Sequence, residues 1–282
     1  MRTAGAGAQL VLGLMQGLGN SFWNVIIAAC EDALLRGGYG VVYGDTHGDA
    51  GREAHYEQLV RSGQVSGLLL FGISRPFSAR LLSTWLPAVI AYGDTVGDGV
   101  PTFGLANREA AATMVRHLVE TGHRRIAHLR GPEGNLDAEE RLHGYRDGLE
   151  AAGIAYDPGL VWPGGFSFAT GMRAAQRFRG MAQRPTAIFA ASDEMAIGLM
   201  SGLRDAGIAV PEAVSVAGFD GTELSAMYQP GLTTMFQPRA ELGRLAAESL
   251  VRQLAGGPVP AAAIRLPCRL VIRHSVAPPS DL

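Results

Sequence analysis

The chain has 282 residues, of which 47% are hydrophobic and 18% charged, so it can bury a large core and is long enough for two subdomains. The net charge is −2 and no Lys/Arg run exceeds a pair, which argues against the basic face of a nucleic-acid binder. Two cysteines, Cys30 and Cys268, are too few for a disulfide framework and read as reduced, packed thiols, giving a cytoplasmic expectation.

The first apolar run, residues 10–15, follows Arg2 as a signal peptide core would. It is short, however, and its small residues precede it where a cleavage site would follow, so it reads as a first strand. Elsewhere Gly or charge interrupts every apolar run well below the length of a membrane span. In chain order, residues 9–15 predict a strand and 22–37 a helix with Val25, Ile26, Ala29, Ala33 and Leu34 at helical spacing. Residues 39–43 predict a strand that ends at Gly44-Asp45. Helices at 52–62 and 78–84 alternate with strands at 67–71 and 88–92; residues 102–105 continue the β pattern into a helix at 107–121. A second series begins after Gly122: a strand at 125–129, a helix at 138–152 capped by Gly153, a short strand at 160–162 and a helix at 168–181.

Residues 186–238 hold the stretch around which the rest is organised. Apolar strands at 187–191, 214–219 and 232–235 flank a helix opened by Ser192-Asp193 and closed at Gly207. Each strand ends on small or polar residues where a parallel sheet presents its carboxyl edge, the edge at which doubly wound folds hold ligands. A helix at 240–254, a Gly256-Gly257-Pro258 break and a final β pair between 264 and 272 complete the chain. Their late position suggests that the chain crosses between two lobes more than once.

Several segments together carry a family resemblance. SDEMAIGLMSGLRDAGIAVPEAVSVAGFDGTELS and QPGLTTMFQPRAELGRLAAESL resemble the corresponding parts of the lactose-repressor/galactose-repressor family of bacterial transcriptional regulators. GLGNSFWNVIIAACEDALLRGGY, ANREAAATMVRHLVETGHRRIAHLRGP, AEERLHGYRDGL and RLVIRHSVAPP resemble that family's first loop and helix, central helix and strand, arginine-bearing helix and closing strand, in order over essentially the whole chain. The resemblance implies an α/β fold of two doubly wound parallel-sheet lobes with multiple crossovers, of the type I periplasmic-binding-protein kind. It places an N-terminal lobe at 1–121 plus 237–262 and a C-terminal lobe at 122–236 plus 263–282, with a small sugar-like effector in the cleft and a homodimer interface in the same module. The family's helix-turn-helix does not fit into the roughly ten residues before the first strand, so operator DNA is expected to be bound only through an N-terminal domain missing from this chain.

A polyol needs paired donors and acceptors at fixed angles and an aromatic face for its C–H side. The resemblance assigns these roles to Arg141, Asp220 and Phe166, with Asn20, Phe22 and Trp23 from the first loop; for each aromatic, core packing is an equal rival. Ser192 stands where the family usually has asparagine and is read as helix cap and ligand contact alike, while Asp193 reads as mainly structural. Asn107 either caps its helix or reaches the cleft. Ala106, Tyr92 and Asp137 depart from the family's usual polar residues, which admits a ligand with an apolar portion or a positive group meeting Asp137. The family pairs through the first helices and the helix from Arg239, and Leu34, Leu35, Leu68 and Leu69 are divided between that interface and the core.

Rival chemistries are weaker. Gly17-Leu18-Gly19 with Asp45 imitates a dinucleotide fingerprint, but Phe22 occupies the third glycine position. His117 and His123 lack partners at metal-ligand spacing, and no nucleophile elbow or paired catalytic carboxylates appear, so no metal, cofactor or enzyme activity is expected. The expected function is the ligand-sensing and dimerisation module of a regulator, without membrane contact; the alternative is a sugar-binding protein of a transport system, against which the absent signal peptide counts.

Overall fold

The computed structural model describes residues 9–19, 22–93, 99–258 and 263–280. The first series of elements is β1 (Leu10–Met15), α1 (Phe22–Arg36), β2 (Gly40–Asp45), α2 (Ala50–Arg61), β3 (Gly67–Phe71), α3 (Arg75–Leu82), β4 (Ala88–Tyr92) and β5 (Thr102–Leu105). The second is α4 (Asn107–Glu120), β6 (Ile126–Leu129), α5 (Leu136–Ala151), β7 (Val161–Trp162), α6 (Phe168–Gly180), β8 (Ala187–Ala190), α7 (Asp193–Asp205), β9 (Ser215–Asp220), α8 (Glu223–Met227) and β10 (Thr233–Phe236). The chain ends with α9 (Arg239–Leu254), β11 (Ala263–Leu266) and β12 (Arg269–Val271).

Two compact units result, Met1–Leu105 with Pro238–Leu266 and Ala106–Gln237 with Pro267–Leu282. The first holds a six-stranded sheet in the order β11-β5-β4-β3-β1-β2, parallel throughout. The second holds a sheet in the order β12-β10-β9-β8-β6-β7, parallel except where β12 runs antiparallel to β10. Helices cover both faces of each sheet, which is why strands such as GLLLF in β3 are buried at every position rather than alternating.

In the first unit, α2 and α3 close one face over Leu12, Leu14, Leu68, Leu70 and Ile90. On α1 and α9, which pack together, Ile26, Cys30, Leu34, Leu242, Ala246 and Leu250 are fully buried. In the second unit, α6 and α7 cover one face around Ile188, Leu199 and Val216, while α4 and α5 cover the other around Phe189, Ala217 and Phe219.

The boundaries differ from the sequence expectation in three places. Residues 107–121 fall in the second unit, not the N-terminal lobe, because α4 packs along α5, where Gly144 and Gly148 leave room for Ala111 and Val115. Gln237 also falls in the second unit. The expected terminal β pair is split: β11 lies parallel to β5 in the first unit and β12 against β10 in the second, with Pro267, which has no N–H to donate, between them. Local chemistry moves other ends. Asp49 accepts from Arg52 N at 2.8 Å and starts α2 two residues early, and Ser74 with Pro76 in the first turn starts α3 at Arg75. The five-residue α8 has no counterpart in the sequence pattern, because so short a helix carries no periodicity to read.

Candidate functional site

Polar side chains of the second unit collect beside the carboxyl ends of β8, β9 and β10. Arg141, on α5, is 3% exposed and donates from Nε to Asn107 Oδ1 at 2.9 Å and from Nη1 to the Ala191 carbonyl at 2.5 Å. Its Nη1 stands 3.6 Å from Asp220 Oδ1, and its guanidinium lies 3.9 Å from the ring centre of Phe219 and 5.6 Å from that of Phe166. A planar cation packed against aromatic rings keeps its fork in one plane, the geometry needed to address paired oxygens. Asn107, wholly buried, also donates from Nδ2 to Asp137 Oδ1 at 2.7 Å. It therefore bridges α4 to α5 and does not cap α4, whose N-cap position, Ala106, carries no side-chain hydrogen bond.

Asp220 ends β9 with φ of 121°, in the region that favours glycine, and its Oδ1 accepts from Gln237 Nε2 at 2.7 Å. Gln237 is fully buried, and its Oε1 has no hydrogen-bond partner. Sequence reasoning passed over this residue; the signal was a polar side chain directly after β10 and before Pro238, on the same sheet edge as Asp220. Phe166, half-buried, also has positive φ, 52°, in the loop before α6.

Ser192 accepts from Met195 N at 3.3 Å as the N-cap of α7. We expect Ser192→Ala to lower unfolding free energy by about 1 kcal/mol, the usual value of a serine cap, while leaving effector affinity within twofold; a large affinity loss in calorimetry at unchanged stability would show that Ser192 contacts the ligand.

Of the first-unit residues, Asn20 lies outside the described residues. Trp23 is 8% exposed and packs edge-on against Phe22, Tyr92 and Phe71 with centroid distances of 5.0, 5.2 and 6.1 Å. Trp23 is thus packed within an aromatic cluster of which Phe22 is a half-buried member. Asp45 explains the dinucleotide mimicry: its carboxylate accepts the backbone N–H of Gly17, Leu18 and His47 at 2.9, 2.6 and 2.9 Å and ties down the loop after β1. Partial burial pushes its pKa up, but those three donors outweigh it and hold the carboxyl below its usual range. Among the described residues no cluster of three metal-ligating side chains occurs, and no helix is long and apolar enough to cross a membrane.

Two doubly wound units, one presenting a buried Arg–Asp–Asn–Gln network at its carboxyl edge, define a periplasmic binding protein-like fold. The sequence model for the periplasmic binding protein-like domain matches residues 115–276. The HTH-type transcriptional repressor CytR of Escherichia coli (strain K12) is 34% identical over 270 residues, covering 95% of this chain and 79% of the repressor. A transcriptional regulator CelR–cellobiose complex superposes with a TM-score of 0.87 at 29% identity, covering 95% of this chain and 84% of that one. A LacI family transcriptional regulator from Enterococcus faecium with bound ribose gives 0.85 at 26% identity, covering 95% and 99%. The chain belongs to the LacI family of transcriptional regulators and, like these relatives, is a regulator and not an enzyme.

Proposed function

We propose that this chain senses a small polyhydroxylated effector, a sugar or a sugar-bearing molecule, and that occupancy changes the affinity of the intact regulator for operator DNA. The observation that carries the reading is the Arg141–Asp220 pair at a sheet edge, flanked by Asn107 and Gln237 and overlain by Phe166. Such a site offers a planar double donor, a carboxylate acceptor and an aromatic face, the set that vicinal hydroxyls on a pyranose or furanose ring engage. Relatives solved with cellobiose and with ribose support this ligand class. The ligand shifts DNA affinity by no more than its differential affinity for the two states of the regulator.

The test is calorimetric titration with separate pools of pentoses, hexoses, disaccharides, polyols and nucleosides. One pool is expected to bind, and Asp220→Asn to weaken that binding at least tenfold; silence from every pool, or an indifferent Asp220→Asn, overturns the reading.

Self-association is part of the same proposal. Leu34, Leu68 and Leu69 are fully buried and belong to the core, whereas Leu35 on α1 is 59% exposed. In the second unit Leu224 and Met227 on α8 are 56% and 72% exposed, and Ile272 is 62% exposed beside Arg273, which donates to Ser225 Oγ at 3.1 Å. Large apolar side chains left in water are the kind that a second copy would cover. We expect sedimentation at micromolar concentration to give a dimer and Met227→Glu to shift it to monomer; a monomeric parent chain would refute the interface.

A further inference from the structure

Asp193 is the most completely buried carboxylate among the described residues of the second unit. Its Oδ2 accepts the Thr222 N–H at 2.7 Å and the Thr222 hydroxyl at 3.0 Å, and its Oδ1 accepts the Thr234 hydroxyl at 2.5 Å. Thr234 Oγ1 in turn accepts the Gly221 N–H at 3.4 Å. One side chain at the start of α7 therefore holds β10 and both residues that follow Asp220. Gly218, on β9, is cut back to make room: a Cβ there would stand 2.5 Å from Asp193 Oδ1.

What is held is a turn that would not hold itself. Asp220 is a non-glycine residue at φ of 121°, followed by Gly221 at 68°. Backbone in that region persists when its surroundings over-determine it. Released, residue 220 would relax toward negative φ and its carboxylate would swing away from Arg141 and from Gln237 Nε2. A helix start needs no such arrangement, since Ser192 already caps α7.

We infer that Asp193 is a positioning residue for effector recognition: it clamps the Gly221–Thr222 turn so that the strained Asp220 presents its carboxylate beside Arg141. The inference rests on the reading of Asp220 as an effector contact. Asp193 acts through Asp220 and not by touching the ligand. Substitution of Asp193 by Ala would leave three buried donors without an acceptor and threatens the fold, so the informative change is Asp193→Asn, which keeps shape and one oxygen.

The experiment combines two cycles. In the first, with no ligand, thermal unfolding is followed for the parent chain, Asp193→Asn, Asp220→Gly and the double variant. Glycine adopts φ of 121° without strain, so only the parent recovers strain energy when the clamp is loosened; Asp193→Asn is therefore expected to lower Tm less in the parent than in the Asp220→Gly background, and equal losses in the two backgrounds overturn the clamp. In the second, D-ribose and cellobiose are titrated into the parent, Asp193→Asn, Asp220→Asn and Asp193→Asn/Asp220→Asn. Asp193→Asn is expected to weaken binding about tenfold alone and less than twofold in the Asp220→Asn background. Unchanged affinity in the single variant, or a further tenfold loss in the double, overturns the positioning role. Should neither sugar bind the parent, the choice of these sugars as effectors fails while the unfolding cycle still decides whether Asp193 holds the turn.

Discussion

Arg141→Ala is expected to weaken effector binding by at least 100-fold and to lower Tm by about 10 °C. Two costs add. The guanidinium supplies donors to Asn107 Oδ1 and the Ala191 carbonyl, and its loss leaves both acceptors in a site where Asn107 is wholly buried. It also leaves Asp220, 7% exposed, with a neutral amide in place of a cation. Removing one partner of a buried ion pair costs about 3–5 kcal/mol because the remaining charge is uncompensated. For a domain of 150–250 residues each kcal/mol moves Tm by roughly 2–4 °C. Arg141→Lys separates the causes. The lysine ammonium keeps a positive charge beside Asp220, yet it lacks the planar fork and its contacts with the rings of Phe219 and Phe166, so it is expected to recover most of the stability and little of the affinity. Calorimetry and thermal unfolding on the two variants check both halves; a lysine variant that binds as tightly as the parent would show that Arg141 serves only as a charge.

The sequence carried the alternation of strands and helices because a doubly wound sheet writes itself as short apolar runs between amphipathic ones. Arg141 and Asp220 are candidates only through the family resemblance, because a charged residue at a polar helix start or in the turn after a strand has an ordinary local explanation as a solvated or self-satisfied group. What the sequence did not carry depends on packing between elements distant in the chain. Nothing in residues 107–120 says that α4 rests on Gly144 and Gly148 and so joins the second unit; that follows only once α5 is placed. Ile264 and Leu270 look alike as strand residues, and the split of their strands between two sheets is decided by which edge each finds vacant. Asn107, Asp193 and Gln237 are similar cases. Each is a small polar residue with an ordinary local explanation, as cap, helix-start acid or turn former, and each has partners 17 to 41 residues away in the chain.

Acid is expected to unfold the second unit through His128 before its carboxylates matter. The ring is fully buried in β6, stacked at 5.0 Å on Tyr145 and 5.0 Å from Phe189, with Nδ1 bonded to the Phe189 carbonyl at 3.0 Å and Nε2 lacking a partner. Burial, opposed by that hydrogen bond and reinforced by the Arg130 and Arg141 charges, lowers its pKa from 6.5 to about 3. The folded chain therefore keeps His128 neutral while the unfolded chain takes up a proton below pH 6.5. Stability is full above the unfolded value and declines as pH falls toward the folded one. A shift of this direction and size removes about 2 kcal/mol between pH 7.5 and pH 5. His117 and His123, also lowered by burial, add to the decline with the same sign. Asp193, whose pKa burial raises, works in the opposite direction, because the folded state protonates it more readily than the unfolded state does. The contribution of His128 is isolated by difference: urea unfolding of the parent and of His128→Phe at pH 7.5 and pH 5 should show the variant losing about 2 kcal/mol less over that interval. Equal losses in the two proteins would mean that His128 is protonated within the fold, and the acid lability would then have to come from His117 and His123 at the far end of α4.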